Sequence, residues 1–323
     1  MMQRLAFVLL ATALVAGDAM AIVVDGVLDG DYGAARAVQL VQTQFGDNDG
    51  TGNGGGELNA AYAKVEADRL YVLLTGNIEH SFNKLNIFID SKAGGENVLS
   101  ATPDYDFNPG GGWISSNYGG LTFDSGFEAD YHLFARLGNT AGVSNQLEVD
   151  LIDRAGGGSA AVSGDGAGTG GSGPMQAGVI APGSGGNNTA SFISENVEFA
   201  LDNTNSAGVM GGTGPADQAA ALAVTTGFEF SVALADIGNP SLGDIKIHAA
   251  YGNGDHNFHS NQILGGLPAG TGNLGGDGAG NFTGTLAGVD FNQFAGNQYF
   301  TVPEPAGLGL MSLAVLGLFI RRR

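Results

Sequence analysis

Six stretches of the chain alternate apolar and polar residues with a period of two, the pattern of a strand with one buried face. Leu70, Val72 and Leu74 share a face in 69–75. Leu85, Ile87 and Ile89 do so in 84–90, with Asn86, Phe88 and Asp90 opposite. Ala129, Tyr131, Leu133, Ala135 and Leu137 alternate in 129–137, and Val197, Phe199 and Leu201 in 196–202. Phe228, Phe230, Val232 and Leu234 mark 227–234; Ile245, Ile247, Ala249 and Tyr251 mark 244–251. Weaker alternation predicts strands over 37–43, 58–65, 147–152 and 299–302. The stretches 58–65 and 69–75 lie close enough to predict a hairpin turning through Glu66-Ala67-Asp68. A short helix is predicted over 216–223 and one helical turn over 234–237. No other segment between Ile22 and Thr301 sustains a 3.6-residue period. Many strands joined by Gly, Asn and Asp turns predict an all-β fold, an antiparallel β-sandwich or jelly roll. Three long Gly-rich loops interrupt it. The low-complexity loop 155–173 is expected to be flexible; 208–214 and 265–280 either project or pack against the sheets.

The two ends of the chain break this pattern. Met1 to Arg4 is a short positive region, Leu5 to Val15 an apolar run, and Ala19-Met20-Ala21 a small-x-small cleavage site. Together they predict a signal peptide over 1–21, cleaved by secretion machinery to leave Ile22 first. At the other end Val302-Pro303-Glu304-Pro305 precedes an uncharged run, Ala306 to Ile320, and then Arg321-Arg322-Arg323. The prolines bias their neighbours toward extended backbone, so no helix runs through them. A helix over 306–320 is a little short for a hydrocarbon core about 30 Å thick. Three arginines directly after it suit the cytoplasmic membrane face better than a buried terminal helix. Residues 22–301 then form one exported domain, and 302–323 a separate membrane-directed tail.

That tail resembles the PEP-CTERM sorting signal of Gram-negative bacteria. The resemblance implies a transient anchor taken by a membrane-embedded exosortase, a cysteine protease-transpeptidase. Such an enzyme processes its substrate near Pro-Glu-Pro and passes it to the cell surface or extracellular matrix. By position, the sorting signal opens at Val302; Pro303, Glu304 and Pro305 are the recognition element, 306–320 the transmembrane helix, and Arg321, Arg322 and Arg323 the cytoplasmic stop. A second, smaller resemblance covers about 70 residues near the start of the body. The opening Val24-Asp25-Gly26-Val27-Leu28-Asp29-Gly30-Asp31-Tyr32 and the strand Asn86-Ile87-Phe88-Ile89-Asp90 are similar to sandwich modules related to carbohydrate-binding module family 9. The aromatic sugar clamp of that family has no residue-by-residue counterpart in this chain.

Composition narrows the function. The formal net charge is −20, and loss of the three terminal arginines takes the exported body to −23. Such a body repels nucleic acid, whose phosphates need Lys and Arg. It favours solubility and recruits cations. The chain has no cysteine, so no disulfide framework holds the body together. Glycine, 57 of 323 residues, disfavours helix and supplies turns.

Candidate chemistry is sparse. Asp104, Asp106 and Asn108 stand at alternate positions before a glycine, and Asp47, Asp49 and Asn53 lie in a similar short loop around Gly50 and Gly52. Short Asp/Asn loops of this kind supply the oxygens that Ca²⁺ takes, although neither has the spacing of an EF-hand. The same residues serve equally as Asx turns bonding their own backbone. Tyr105, Trp113 and Tyr118 fall in one loop and would stack on sugar rings if exposed, or cap the core if buried. His256 and His259 lack a third ligand and fit a surface turn. With 32 acidic residues and no carboxylate pair singled out, a secreted glycoside hydrolase is the least favoured reading. The sequence therefore points to an exported, structural or adhesive protein of the envelope or matrix. Exopolysaccharide binding is the alternative.

Overall fold

The computed structural model describes residues 22–46, 56–101, 115–140, 143–154, 158–161, 173–184, 191–241 and 243–303. In chain order the strands begin with β1 (Ala37–Val38), β2 (Glu57–Glu66), β3 (Arg69–Asn77) and β4 (Lys84–Asp90). They continue with β5 (Tyr131–Thr140), β6 (Val143–Asp153), β7 (Gly158–Ala161), β8 (Met175–Ile180) and β9 (Val197–Asp202). The helix α1 (Gln218–Ala223) precedes β10 (Gly227–Ala233), β11 (Lys246–Gly252), β12 (His259–Leu264) and β13 (Phe300–Thr301).

Two antiparallel sheets result. The first runs β1-β2-β3-β10-β9-β8; the second runs β12-β11-β4-β5-β6-β7, with β13 added on β11. The alternating residues set this arrangement. Leu70, Val72, Leu74, Phe228, Phe230 and Val232 of the first sheet join Leu85, Ile87, Ile89, Leu133, Ile247 and Ala249 of the second in one buried core. Each large apolar side chain removed from water there contributes about 1.5–3 kcal/mol. A one-residue slip in any of these strands would turn its whole apolar set outward, so burial fixes the register.

The hairpin between β2 and β3 is tighter than the sequence suggests. Glu66 pairs with Arg69, leaving Ala67 and Asp68 as a two-residue turn at φ 47° and 63°. Both lie in the left-handed region that the twist of a two-residue hairpin demands. At the far end of the same pair, Gly76 stands at φ +144° beside the β-bulge at Leu58–Ala60. A Cβ there would lie 2.0 Å from the Glu57 carbonyl oxygen, so only glycine fits.

The outer face of the second sheet is covered, and that of the first in part, with Met175 and Val179 of β8 exposed. Ile22, Tyr32, Ala60, Tyr62 and Leu73 form a small cluster outside the first sheet. Outside the second, Phe88, Ala250 and Ile263 pack beneath Leu99, Tyr118, Leu121, Phe123, Leu267, Leu274, Leu286 and Phe291. The Gly-rich loop 265–280 is thus part of a packed cover. Two expectations need correction. Residues 158–161, inside the loop expected to be flexible, form β7 and pair with β6. His259, expected in a surface turn, lies in β12 and is buried, as is His256.

Candidate functional site

The feature that the structure adds to the tail is the place where it leaves the body. The segment Gln298 to Pro303 is held by its backbone and by its apolar side chains. The Gln298 N–H donates to Asp124, and the Gln298 carbonyl accepts from His248 Nδ1 at 2.6 Å. The Gln298 amide nitrogen donates to Gly266 and Ala295 carbonyls at 3.0 and 3.2 Å. Next, β13 pairs with β11, Phe300 opposite Ile247 and Thr301 opposite Lys246. The Val302 N–H then donates to the Ile245 carbonyl at 2.9 Å. Phe300 is 4% exposed and Val302 1%, both inside the main core. Pro303 is half-buried, and it is the last described residue.

Beside this exit lies a cavity of about 480 Å³ lined by Asp90, Lys92, Glu128, Asp244, Lys246 and Thr301 among others. Two of its charges pair across it. The Lys246 ammonium lies 2.9 Å from Asp90 Oδ2 and also donates to the Gly126 carbonyl. Lys92 Nζ donates to the Tyr131 hydroxyl at 3.0 Å over that ring.

Chemistry-bearing side chains are otherwise concentrated on the covered face of the second sheet. Four of the five histidines lie there, all buried. His248 and His259 each place Nδ1 on a backbone carbonyl, of Gln298 and Ser260 respectively. A carbonyl only accepts, so Nδ1 carries the proton. Burial pushes both rings well below the ordinary histidine value, His248 to about 3 with a further contribution from His259, and His259 to about 4. They are neutral packing residues around Phe291. His132 stacks on Phe88 at 4.2 Å and bonds Asn86. His256 Nε2 lies 3.0 Å from the buried Lys84 ammonium. Among the described residues no group of three or more His, Asp or Glu is placed to hold a metal ion.

The opening segment 24–32 has a structural task. Glu229, on the outer face of β10, accepts from the Asp25 and Gly26 N–H groups at 2.9 Å and from the Tyr32 hydroxyl at 2.6 Å. Gly26, at φ +81°, lets the backbone approach closely, because a Cβ would lie 2.5 Å from the Asp202 nitrogen. Burial raises the Glu229 carboxyl to about 7 despite these donors.

The predicted site residues divide as follows. Val302 and Pro303 belong to the anchored exit. Glu304, Pro305 and Arg321–Arg323 lie outside the described residues, as do Ala19 and Ala21 of the signal peptide. So do Asp47, Asp49, Asn53, Asp104, Asp106, Asn108, Tyr105 and Trp113. Tyr118 is described and buried, edge-on to Phe88 at 5.5 Å and to His132 at 5.4 Å. It caps the core and presents no open ring face. The sequence did not single out Glu229, Asp124 or His248 as anchors; acidic and imidazole side chains carry no periodic signal.

Residues 301–323 match the PEP-CTERM protein-sorting motif. The match begins inside β13 and takes in the whole tail. No curated protein matches the chain, and no solved structure does. The PEP-CTERM motif implies export by an exosortase-type sorting system, with the exosortase as processing partner. Among the described residues no helix is long and apolar enough to cross a membrane.

Proposed function

We propose that this chain is an exported, non-catalytic protein of the cell surface or extracellular matrix, with its two-sheet body as cargo and its PEP-CTERM tail as a transient membrane anchor. The observation that carries the reading is the match over 301–323, continuous with the last strand of the body. Three further features support it. The anchored exit carries the body into the first residues of the motif. The body has one outer sheet face covered and the other covered in part. Its net charge is strongly negative, as suits a protein kept dispersed in an aqueous matrix. Structural or adhesive work follows from these features, and the acidic surface would take bridging cations.

The test is deletion of 302–323 in cells that carry an exosortase. The full chain is expected at the envelope or surface in a shortened form. The deleted chain is expected to miss the membrane and leave the surface fraction. Equal surface delivery of both would overturn the reading.

A further inference from the structure

The sorting motif starts before the fold ends. Its first two matched residues, Thr301 and Val302, are respectively paired in β13 and buried in the core. We propose that β13 is a latch: while it is docked on β11 the start of the sorting signal is closed, and processing near Pro303 waits on its release. The inference rests on the reading of 301–323 as a sorting signal.

The geometry leaves little slack. One residue spans at most about 3.6 Å of extended chain, so Pro303 cannot move far from the body while Val302 is seated. Proteins that take a peptide as an added strand use its backbone donors and acceptors over several residues. The Val302 N–H is already committed to Ile245 at 2.9 Å. Upstream, Asp124 and His248 fix the Gln298 peptide, so a pull on the tail meets an anchor within five residues. Yet β13 is only two residues long and pairs with β11 alone. Short strands of this kind open locally at far lower cost than the whole fold. A latch that is closed at rest and can be opened follows from these two facts together.

An engineered disulfide tests the latch in the full chain. The chain has no cysteine, so Lys246→Cys with Thr301→Cys gives a single defined pair. These residues are direct cross-strand partners. The flanking bond from Val302 N–H to the Ile245 carbonyl marks them as a non-hydrogen-bonded pair, about 4.5 Å between Cα atoms, within disulfide reach. Processing is followed by loss of the tail in exosortase-bearing cells. The oxidised double variant is expected to accumulate unprocessed, at least roughly tenfold slower than wild type. Reductant is expected to restore it, and the Lys246→Cys single variant to behave as wild type. Val302→Ala, which empties the buried seat, is expected to speed processing by roughly tenfold where release limits the rate. Processing of the oxidised pair at the wild-type rate overturns the latch. That result holds even if Val302→Ala fails to fold, because the disulfide preserves the native pairing. Pro303→Ala with Pro305→Ala separates the two ideas. If tail loss persists undiminished in that variant, the sorting reading itself fails, whatever the disulfide does.

Discussion

At the scale of single residues, the fold depends on a few side chains whose environment outweighs their ordinary chemistry. Ala67 adopts a left-handed conformation that costs a residue with a Cβ about 1–2 kcal/mol. Ala67→Gly is therefore expected to raise the stability of the body by up to about 1 kcal/mol, read as a higher denaturant midpoint. The buried titratable groups give a signed pH dependence. Below about 6.5 the unfolded chain binds protons that the His248 and His259 rings refuse until about 3 and about 4. Their stabilisation is complete above 6.5 and is lost as the pH falls, by at most about 1.4 kcal/mol per unit for each ring. Glu229 has the opposite sign. Its pKa is raised from 4.5 to about 7, so its contribution is full below 4.5 and is lost as the pH rises to 7. Two rings outweigh one carboxyl, so these three groups together raise stability from pH 4.5 to 6.5. Glu229→Gln keeps an acceptor for Gly26 and a partner for Tyr32 but no longer titrates. Its stability is expected to rise more steeply over that window than that of wild type, in denaturant melts at stepped pH. An unchanged slope would mean that Glu229 is ionised in the fold.

At the scale of elements, what could be read in the sequence followed how many faces of a strand are buried in apolar contacts. In β4 the predicted span, 84–90, coincides with the strand found, because its inward face is Leu85, Ile87 and Ile89. The sequence β12, His-Ser-Asn-Gln-Ile-Leu, gave no such signal. Its inner Gln262 accepts from the Gln39 amide and the Leu58 N–H across the core edge, while Asn261 bonds the Gln42 and Thr271 carbonyls. Polar residues drawn into the interior by such hydrogen bonds leave no alternation to see. The strand β7, Gly-Ser-Ala-Ala, is too small in side chain for any pattern. The helix α1 was legible through its alanines, but it starts two residues later than the predicted 216, because the Asp217 carboxylate caps it, accepting from the Ala219 and Ala220 N–H groups at 3.0 and 3.1 Å. Asp217→Ala is expected to cost about 1 kcal/mol, seen as a lower melting temperature. The sorting element was legible for a different reason. Its signal is an ordered motif, Pro-Glu-Pro, apolar run, arginines, which needs no tertiary context. The weak alternation over 299–302 already pointed to β13; what it did not show is that this strand docks on β11, because two residues of pairing carry no information about their partner.

At the scale of the whole molecule, a body whose second sheet is covered on its outer face leads directly into a sorting motif. The Gly-rich loops make the first part possible. Around Leu267, Leu274 and Leu286 they lay apolar side chains over Phe88, Ala250 and Ile263, where a simpler sandwich would leave a polar face to water. The small cluster over the first sheet, clamped by Glu229, seats the N-terminal segment against β2 and β3.

Terminal mapping by mass spectrometry of the chain recovered from fractionated, exosortase-bearing cells tests the central claim most directly. The predicted product lies in the envelope or extracellular fraction, begins at Ile22 and ends close to Pro303–Pro305. A soluble cytosolic chain still carrying Met1 and Arg323 would contradict it.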